Sequence, residues 1–478
     1  MKHSLSIAII SLAVLPFFII GQSVFCADQS TQEKKRPNIL FILADDMRPD
    51  HTRIAGGNPF SRTPNLDMLA SCGYSFSHCY CMGANSGAVC TPSRTMLLTG
   101  HSLFELPKVP GKAGGWQAGP ASNTYVSLPK VLEQAAYETF YVGKPGNTFL
   151  PAIQEFNHID TSIEHDEIEA SKTDVNFVID FLKNRDKEKP FFVHLAPPVP
   201  HDPRVSPPEV RALYTPENSP LPPSYMPIHP FNNGEMMVRD ERLAPWPRTK
   251  SEIKMQVGDY MAAIANLDIH IGRLFAYLKE TGQWDNTIII FASDNGLSLG
   301  DHGLMGKQNL YEFGGMHVPL TIYGPGIPHG RSEALVYLLD LFPTLCEFAN
   351  ADLPQHLYGK SLIPLMDGKV PKLRDHVITA YKSCQRSIRD EHWQLIHYPQ
   401  INLTQLFDLD NDPHELNDLA DQPDQKERIA AMTQLLQKDL QELKDPEPFT
   451  VAHPKPAEWK PPAANKQRAK QKADNEEQ

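Results

Sequence analysis

The residue with the most unusual surroundings in this sequence is Cys90, which opens the stretch CTPSRTMLLTG. Pro92 is typical of the first turn of a helix, so a helix is predicted to start at or just after Cys90. The free N–H groups and positive dipole end of such a helix stabilise an anion, and Arg94 adds a positive charge one turn later. Cys90 could be a nucleophile, a metal ligand, half of a disulfide or a small buried apolar residue.

Acidic and amide side chains follow two predicted strands. Asp45 and Asp46 come after the run NILFILA, and Asp294 and Asn295 come after TIIIFAS. Because open α/β sheets bind ligands beyond the carboxyl ends of their strands, these side chains are predicted to converge on one crevice. Oxygen ligands favour Ca²⁺ or Mg²⁺ over zinc, and the Asn295 carbonyl favours Ca²⁺. The predicted role of the ion is to hold and neutralise a negatively charged group under attack.

Two basic side chains are expected at the same crevice. Lys144 follows the apolar run TFYVG, and His201 lies in the proline-rich loop after FFVHLA. Each of these residues alone could be a helix cap, a turn former or an ordinary loop residue. Their joint occurrence with the carboxylates at successive strand ends favours a chemical site.

The elements that must position these residues are predicted from apolar periodicity. Nearly unbroken apolar runs, typical of parallel strands covered on both faces, occupy residues 38–44, 139–143, 190–196, 287–296 and 319–326. Amphipathic helical stretches alternate with these runs, which predicts a doubly wound α/β sheet. The proline-rich stretch at 197–247 is predicted to form surface loops around the cleft.

Changes in composition predict four parts of the chain. Lys2 and His3 precede an apolar run that turns polar near Cys26, which is typical of a secretory signal peptide. The run is shorter than the roughly 20 apolar residues of a membrane anchor, and a lipid on Cys26 is the weaker alternative because bulky Phe25 precedes it. Past residue 350, HWQLIHY and TQLFDLDND predict short strands, and QKERIAAMTQLLQKDLQEL predicts a helix. The predicted parts are a signal peptide at 1–26, a catalytic α/β domain at 36–350, an α+β subdomain at 351–445 and a disordered tail at 446–478.

Charge and cysteine content exclude some classes of protein. The formal net charge of -12 argues against a general nucleic-acid binder, because a phosphate backbone repels an acidic surface. The signal peptide predicts a periplasmic or secreted protein without a transmembrane anchor. In that oxidising setting Cys72, Cys79 and Cys81 are close enough in sequence to pair, and their spacing does not match a zinc site.

Six segments of the chain resemble the sulfatase family, the formylglycine-dependent type I sulfatases of the alkaline-phosphatase-like superfamily. The stretch CTPSRTMLLTG matches the signature C-x-P-S-R followed by T-G and is the most specific of the six. The others, in the family's order, are NILFILADDMRPD, TPNLDMLA, SDNGLSLGDHGLMGKQNLYE, VPLTIYGPG and LFDLDNDPHELNDLA. The resemblance spans residues 36–420. It implies a mixed, mostly parallel sheet flanked by helices, with a smaller C-terminal α+β subdomain.

The resemblance implies that the protein hydrolyses sulfate esters. In this family a maturation enzyme, either a formylglycine-generating or an anaerobic one, oxidises the cysteine that corresponds to Cys90 to formylglycine. One hydroxyl of the hydrated aldehyde attacks sulfur, and deprotonation of the other then expels sulfate. The resemblance also implies one Ca²⁺ ion, held by the modified Cys90 with Asp45, Asp46, Asp294 and Asn295.

The family pattern implies roles for the basic residues as well. Arg94 would position the formylglycine, and Lys144 would contact both the diol and the sulfate. Lys307, in LMGKQNLYE, would be the second lysine that binds sulfate. His201 would contact sulfate and protonate the leaving oxygen, and His302 would share the acid–base work.

One segment departs from the family pattern. Many relatives follow the lysine that corresponds to Lys144 with an aromatic residue and a histidine that bonds the diol. Here Pro145, Gly146 and Asn147 follow instead. Either Asn147 or a histidine from elsewhere takes that place, or the second step uses a different base.

The export signal and the resemblance together imply exo-desulfation of a sulfated oligosaccharide or polysaccharide. Specificity is expected from loops at 101–125, which include Trp116, and at 200–250, and from Arg386, Arg389 and His392.

Three other functions stay open. The first is a phosphomonoester or phosphonate-ester hydrolase of the same superfamily, whose substrate differs in charge. The second is a non-catalytic sugar-binding protein, which has no need of the full metal and lysine set. The third is a thiol-dependent hydrolase, which requires a Cys–His pair.

Overall fold

A large sheet carries the residues that the sequence singles out. The computed structural model describes residues 36–52, 57–106, 125–161 and 167–462. The predicted signal peptide at 1–26, Trp116 and residues 463–478 of the predicted tail lie outside the described residues. Within the described residues, no helix combines the length and apolar character that crossing a membrane requires.

The described residues form thirteen strands and ten α-helices. The strands are β1 Asn38–Ala44, β2 Tyr74–Tyr80, β3 Gly83–Ala84, β4 Glu138–Gly143, β5 His158–Thr161, β6 Phe191–Ala196, β7 Thr287–Ser293, β8 His317–Tyr323, β9 Gly330–Tyr337, β10 Val377–Tyr381, β11 Gln385–Arg389, β12 Trp393–Tyr398 and β13 Leu403–Asp408. The helices are α1 Pro64–Cys72, α2 Cys90–Thr99, α3 Leu128–Gln134, α4 Leu150–Ile153, α5 Glu167–Asn184, α6 Pro208–Arg211, α7 Lys250–Glu280, α8 Leu341–Ala349, α9 Ile363–Met366 and α10 Lys426–Glu442.

The large sheet has eight strands in the order β5-β4-β6-β1-β7-β8-β2-β9. Neighbouring strands are parallel except at β8, which is antiparallel to both β7 and β2. Helices cover the sheet, so the predicted mixed, mostly parallel α/β fold is confirmed. The five predicted apolar strands correspond to β1, β4, β6, β7 and β8.

The central strand β1 shows why these sequences form buried strands. All seven of its residues are buried, and it pairs with β6 on one side and β7 on the other. Leu40 and Ile42 belong to the apolar cluster that includes α7, while Ile39 and Phe41 belong to the cluster that includes α8. Side chains alternate between the two faces, so an unbroken apolar run is what a sheet covered on both faces requires.

A second sheet of five strands has the order β13-β12-β11-β10-β3. Helix α10 covers it, with Leu436 and Leu440 packed against Ile388 and Leu395. This is the smaller α+β unit that the resemblance implied, but its edge strand β3 comes from the first quarter of the chain. Gly83 makes that pairing possible, because a Cβ there would lie 1.9 Å from the Ala380 carbonyl oxygen.

Residues 446–462 differ from the predicted disordered tail. The rings of Trp459 and Trp246 lie 5.4 Å apart, and the Phe449 ring stacks on His397 at 4.0 Å. The Ala457 carbonyl accepts a hydrogen bond from the Asn232 N–H. Two aromatic anchors therefore hold a segment whose proline-rich composition alone indicated disorder.

The described cysteines carry no disulfide. Cys72, Cys79 and Cys81, which the sequence placed close enough to pair, are free, as are Cys90, Cys346 and Cys384.

A buried histidine in β6 makes the fold sensitive to acid. His194 lies among the rings of Phe41, Tyr141, Phe156 and Phe192, and both of its ring nitrogens lack a hydrogen-bond partner among the described residues. Burial, with a further contribution from the Arg94 charge, lowers the pKa of His194 to about 3. The unfolded chain therefore takes up a proton that the folded chain does not, so the free energy of unfolding falls as the pH drops below the ordinary histidine value.

We expect His194→Phe to weaken this acid sensitivity. Between about pH 6.5 and about pH 5 the substitution should reduce the loss of unfolding free energy by about 2 kcal/mol, since one pKa unit corresponds to about 1.4 kcal/mol. Urea denaturation at a series of pH values measures this difference. His329→Phe, at an exposed histidine, is the matched control and should follow the wild type. Identical pH profiles for wild type and His194→Phe would contradict the conclusion that the lowered pKa of His194 causes the acid sensitivity.

Candidate active site

The carboxyl ends of β1 and β7 lie side by side and form the base of the site. The two strands pair in register from Asn38 with Thr287 to Ala44 with Ser293, so the residues that follow them are neighbours. The Asp294 N–H donates to the Ala44 carbonyl at 3.1 Å, and the Asp46 N–H donates to Asp294 Oδ1 at 3.2 Å. Asp45, Asp46, Asp294 and Asn295 are all buried. These four side chains, which the sequence predicted to converge on one crevice, lie together at this edge of the sheet.

Helix α2 brings Cys90 to this base. The helix begins at Cys90, as predicted, and all ten of its residues are buried. The Ser93 hydroxyl donates to the Asp294 carbonyl at 2.6 Å, which ties the first turn of the helix to the end of β7. Cys90 Sγ lies 3.3 Å from Asp45 Oδ1 and 3.7 Å from Asp46 Oδ1.

Three cations surround the carboxylates. Lys144 Nζ lies 2.7 Å from Asp45 Oδ2, and Lys307 Nζ lies 2.6 Å from Asp46 Oδ1 and 3.1 Å from Cys90 Sγ. Arg94 Nε donates to Asp294 Oδ2 at 2.8 Å. The structure thus brings Lys144, which the strand pattern indicated, to the same carboxylates as Lys307 and Arg94, for which the resemblance implied roles.

Lys144 reaches the site because a glycine precedes it. Gly143 has φ +145°, and a Cβ at this position would lie 2.0 Å from the Ala196 carbonyl oxygen of the neighbouring strand β6. The Lys144 N–H donates to the same carbonyl at 3.0 Å, which keeps the two strand ends together. A side chain at residue 143 would push β4 away from β6 and Lys144 away from Asp45.

The charged groups at the base of the site shift the pKa values of its acidic side chains in different directions. Burial acts to raise the pKa of Asp45, but the charges of Lys144 and Arg94 outweigh it and hold this pKa well below its ordinary value. Burial and the Asp45 charge raise the pKa of Asp294. Burial and the Asp45 charge also raise the pKa of the Cys90 thiol well above its ordinary value. The carboxylates therefore repel one another and oppose a thiolate, which is an arrangement that a further cation would stabilise.

The donor set fits a hard divalent cation. Asn295 Oδ1 is buried and has no hydrogen-bond partner among the described residues. Ligand atoms of Asp45, Asp46, Cys90 and His201 all lie within 4.8 Å of one another. Carboxylate and amide oxygens are the ligands that Ca²⁺ and Mg²⁺ prefer, so Asp45, Asp46 and Asp294 could hold such an ion and Asn295 would supply its unpaired oxygen.

His201 lies at the rim of this cluster. Its Nδ1 is 2.7 Å from the Asp202 carbonyl, which leaves Nε2 facing the site at 3.8 Å from Asp46 Oδ2. The Asp202 carboxylate is held by Arg239 through two contacts of 2.6 and 2.8 Å. Asp202 and Arg239 were not found from the sequence, because both lie in the proline-rich loops and only the fold brings them together.

His302 and Asn147 have surroundings different from those of the buried carboxylates and their cations. The His302 ring stacks on Tyr311 with centroids 3.9 Å apart, and burial lowers the pKa of His302 to about 4. The charges that act most on it come from Asp301, followed by Asp412. Asn147 is exposed on a turn with φ +49°. Neither residue is among the described contacts of Cys90, and their acid–base roles stay predictions.

Two arginines proposed as specificity residues are structural. Arg386 is buried and paired with Asp445 at 2.6 Å, and Arg389 is buried near Glu312 at 3.6 Å. Neither guanidinium is available to a ligand, so this expectation is wrong for both. His392 is exposed and pairs with Asp410 at 2.8 Å.

A family model for sulfatases matches residues 37–351 of the chain. A second model, for the C-terminal part of N-sulphoglucosamine sulphohydrolase, matches residues 300–444.

Individual proteins agree with these matches. A Bacteroides thetaiotaomicron protein named N-acetylglucosamine-6-O-sulfatase is 28% identical over 540 aligned residues, which cover 94% of this chain and 93% of that protein. A solved structure of a protein in complex with its substrate D-glucosamine-2-N,6-O-disulfate has a TM-score of 0.72 at 24% identity, over 87% of this chain and 99% of that one. The phosphonate monoester hydrolase of Agrobacterium radiobacter has a TM-score of 0.69 at 22% identity, over 86% and 95%. The two structures show a shared fold. With the family model matching 37–351, the chain belongs to the sulfatase family, the sulfuric ester hydrolases of the alkaline-phosphatase-like superfamily.

Proposed function

We propose that the protein removes sulfate from sulfated carbohydrates, using a formylglycine made from Cys90 and one Ca²⁺ ion. The observation that carries the proposal is the position of Cys90 Sγ, 3.1 Å from Lys307 Nζ and 3.3 Å from an Asp45 carboxylate oxygen at the start of a buried helix. An oxygen nucleophile at this position would face the substrate sulfur between a cation and the metal ligands. When bound, Ca²⁺ would neutralise sulfate oxygens and hold the ester in place.

The basic residues have two roles in the proposed reaction, stabilising negative charge and donating a proton. Lys144, paired with Asp45, and Lys307, paired with Asp46, supply positive charge to the equatorial oxygens of the group in transfer. His201 is oriented by the Asp202 carbonyl so that Nε2 faces the reaction, where it donates a proton to the leaving sugar oxygen as the sulfur–oxygen bond breaks. One hydroxyl of the formylglycine hydrate would lose its proton as it attacks sulfur. The other hydroxyl would then lose its proton to re-form the aldehyde while the bond between carbon and the sulfated oxygen breaks and sulfate leaves.

The carbohydrate substrate is supported by the relatives. Proteins named N-acetylglucosamine-6-O-sulfatase from Bacteroides thetaiotaomicron and N-acetylglucosamine-6-sulfatase from Homo sapiens match this chain at 28% identity each. The C-terminal family model bears the name of an enzyme of the same substrate class. We infer exo-desulfation of a sulfated oligosaccharide or polysaccharide fragment outside the cytoplasm; the export signal at 1–26 and a maturation enzyme for Cys90 are parts of this proposal.

A phosphonate- or phosphomonoester hydrolase is the second candidate. The likeness to a phosphonate monoester hydrolase favours it, since that structure covers 86% of this chain. Rates on 4-nitrophenyl sulfate, 4-nitrophenyl phosphate and a phenyl phosphonate ester, measured side by side, decide between the two. A thiol hydrolase is disfavoured because burial and nearby carboxylates raise the pKa of Cys90.

Mass spectrometry of the Cys90 peptide, from protein made in its own host, tests the modification. We expect the peptide to have lost sulfur and gained the aldehyde oxygen, because the thiol itself is disfavoured as a nucleophile here. Peptides with Cys346 and Cys384, buried thiols outside the signature, serve as internal controls and should stay unmodified. An intact Cys90 thiol in active enzyme would contradict the mechanism.

Removing one sulfate-binding cation should abolish most turnover. We expect Lys307→Met to lower kcat for an aryl sulfate by roughly 10²–10³-fold, the range for loss of one group that stabilises developing charge. Lys130→Met, at a lysine with a half-exposed side chain paired to Glu133, is the matched control and should keep wild-type kcat. Circular dichroism of both variants checks folding, and wild-type turnover in folded Lys307→Met would overturn the role.

Calcium should stabilise the protein as well as activate it. In metal-free protein, Ca²⁺ at about 100 times its Kd should add about 2.7 kcal/mol to the free energy of unfolding, seen as a rise in Tm. Asn295→Ala removes the unpaired Oδ1 and should require more Ca²⁺ for the same rise. Asn411→Ala, at an exposed turn residue, is the control. No shift in Tm with Ca²⁺ would argue against the metal site.

A further inference from the structure

A short turn at residues 239–241 contacts the loops that carry two basic residues of the candidate site. Arg239 pairs with Asp202, the residue after His201. The two residues that follow Arg239 bond to the chain on either side of Lys307. We call residues 239–241 the Arg239 turn.

Glu241 attaches the Arg239 turn to the chain before Lys307. Its carboxylate accepts hydrogen bonds from the Met305 N–H at 3.0 Å and from the Gly306 N–H at 2.8 Å. It also pairs with Arg248 Nη2 at 2.7 Å, and both side chains of this pair are buried. Two successive N–H groups form a concave site for an anion, and the Glu241 carboxylate occupies it. The turn and the backbone next to Lys307 therefore have a fixed relative position.

Asp240 attaches the Arg239 turn to the chain after Lys307. Its Oδ2 accepts a hydrogen bond from Gln308 Nε2 at 2.8 Å, and its Oδ1 lies 3.3 Å from Arg239 Nε. Asp240 and Gln308 are both buried. Because Gln308 follows Lys307 and Gly306 precedes it, the turn bonds to the backbone on both sides of this lysine.

Arg239 connects the turn to the loop of His201. Its Nη1 and Nη2 atoms lie 2.6 and 2.8 Å from the two carboxylate oxygens of Asp202. Two parallel contacts of this kind fix the orientation of a carboxylate as well as its distance. A second arginine, Arg204, adds positive charge near Asp202, but its Nη1 donates to Gln256 Oε1 at 2.8 Å. Burial acts to raise the pKa of Asp202, but the charges of His201 and Arg239 outweigh it and hold this pKa below its ordinary value.

The main chain of Asp202 orients the His201 ring. His201 Nδ1 lies 2.7 Å from the Asp202 carbonyl oxygen, which can only accept, so Nδ1 carries a proton. The Asp202 carboxylate is 3.7 Å from the same nitrogen. This orientation leaves Nε2 at 3.8 Å from Asp46 Oδ2. Contacts therefore run without a break from the backbone around Lys307, through the Arg239 turn and Asp202, to His201.

We propose that Arg239 is a positioning residue, which acts through Asp202 to hold the His201 ring where it protonates the leaving oxygen. The inference rests on the proposed function. Since the turn is also bonded to the backbone around Lys307, it sets the distance between the proton donor and this sulfate-binding cation. A displacement of about 1 Å at a reacting group can cost about 10²-fold in rate. Loss of the Arg239 contacts should therefore slow the step that His201 assists.

Substrates that differ in how much their leaving group needs a proton test this role. A 4-nitrophenolate leaves readily without a proton, a phenolate less readily, and the alkoxide of a sugar least readily. We expect Arg239→Gln to lower kcat/KM by at least about tenfold on N-acetylglucosamine 6-sulfate and on phenyl sulfate, but by less than about twofold on 4-nitrophenyl sulfate. Asp202→Asn keeps the main-chain carbonyl, loses the charge and should show the same pattern. Arg331→Gln, at an arginine of similar exposure that pairs with Glu333, is the matched control and should match wild type on all three substrates.

A double-mutant cycle separates positioning from a general structural effect. In a His201→Gln background, Arg239→Gln should cause no further loss on phenyl sulfate, because the group that it positions is absent. No loss, equal losses on all three substrates, or additive losses in the cycle would each overturn the role. A loss confined to the sugar sulfate would also overturn it, since Arg239 would then contact the sugar directly.

A measurement without turnover distinguishes failure of this inference from failure of the proposed function. Nitrogen NMR of protein with isotope-labelled histidine, with the His201 signal identified by its loss in His201→Gln, reports which ring nitrogen holds the proton. We expect Nδ1 of His201 to hold it in wild type and in Arg331→Gln, and this preference to be lost in Arg239→Gln. That result would support the positioning role even if the protein released no sulfate. An unchanged His201 signal in Arg239→Gln would overturn the role even in an active sulfatase.

Discussion

The site depends on one constraint: three carboxylates are buried together at the adjacent ends of β1 and β7. A buried carboxylate is stable only when other charges or hydrogen bonds replace the water it has lost, and losing one partner of such a pair typically costs about 3–5 kcal/mol. Lys144, Arg94 and Lys307 supply three positive charges. These three residues come from the loop after β4, from α2 and from the loop after β7. Distant parts of the chain must therefore meet at this point.

Pairing of buried charges also fixes the position of the helix that carries Cys90. Arg94 is buried because it pairs with Asp294, and Ser93 bonds the Asp294 carbonyl, so the first turn of α2 is fastened to the end of β7. This fastening puts the thiol between Lys307 and two carboxylates. Burial, together with repulsion from Asp45, raises the pKa of Asp294 in spite of these three cations. A divalent ion would remove that repulsion, and the unpaired oxygen of Asn295 faces no competing donor among the described residues.

Much of the site could be predicted because strand ends are easy to find in the sequence. Apolar runs located β1, β4, β6 and β7, and parallel strands bring the residues after them to one edge of the sheet. Strands β2 and β11 were harder to predict, because their sequences YSFSHCY and QRSIR mix polar and apolar residues. Their polar side chains are buried by pairing, as when Arg389 meets Glu312, and pairing cannot be read from periodicity. For the same reason Arg386 and Arg389 were mistaken for ligand-binding residues, while Asp202 and Arg239 were overlooked in loops.

The shared strand β3 has a consequence for how the chain folds. Asp46 and Asp294 are separated by 248 residues, and β3 pairs with a strand near residue 380. Contacts of such long range form slowly, because the intervening chain must first be brought together. The native contacts of the segment around Cys90 can therefore form only after most of the polypeptide exists. In the folded chain Cys90 is 1% exposed, so a protein that modified this thiol would need to reach it before α2 docks.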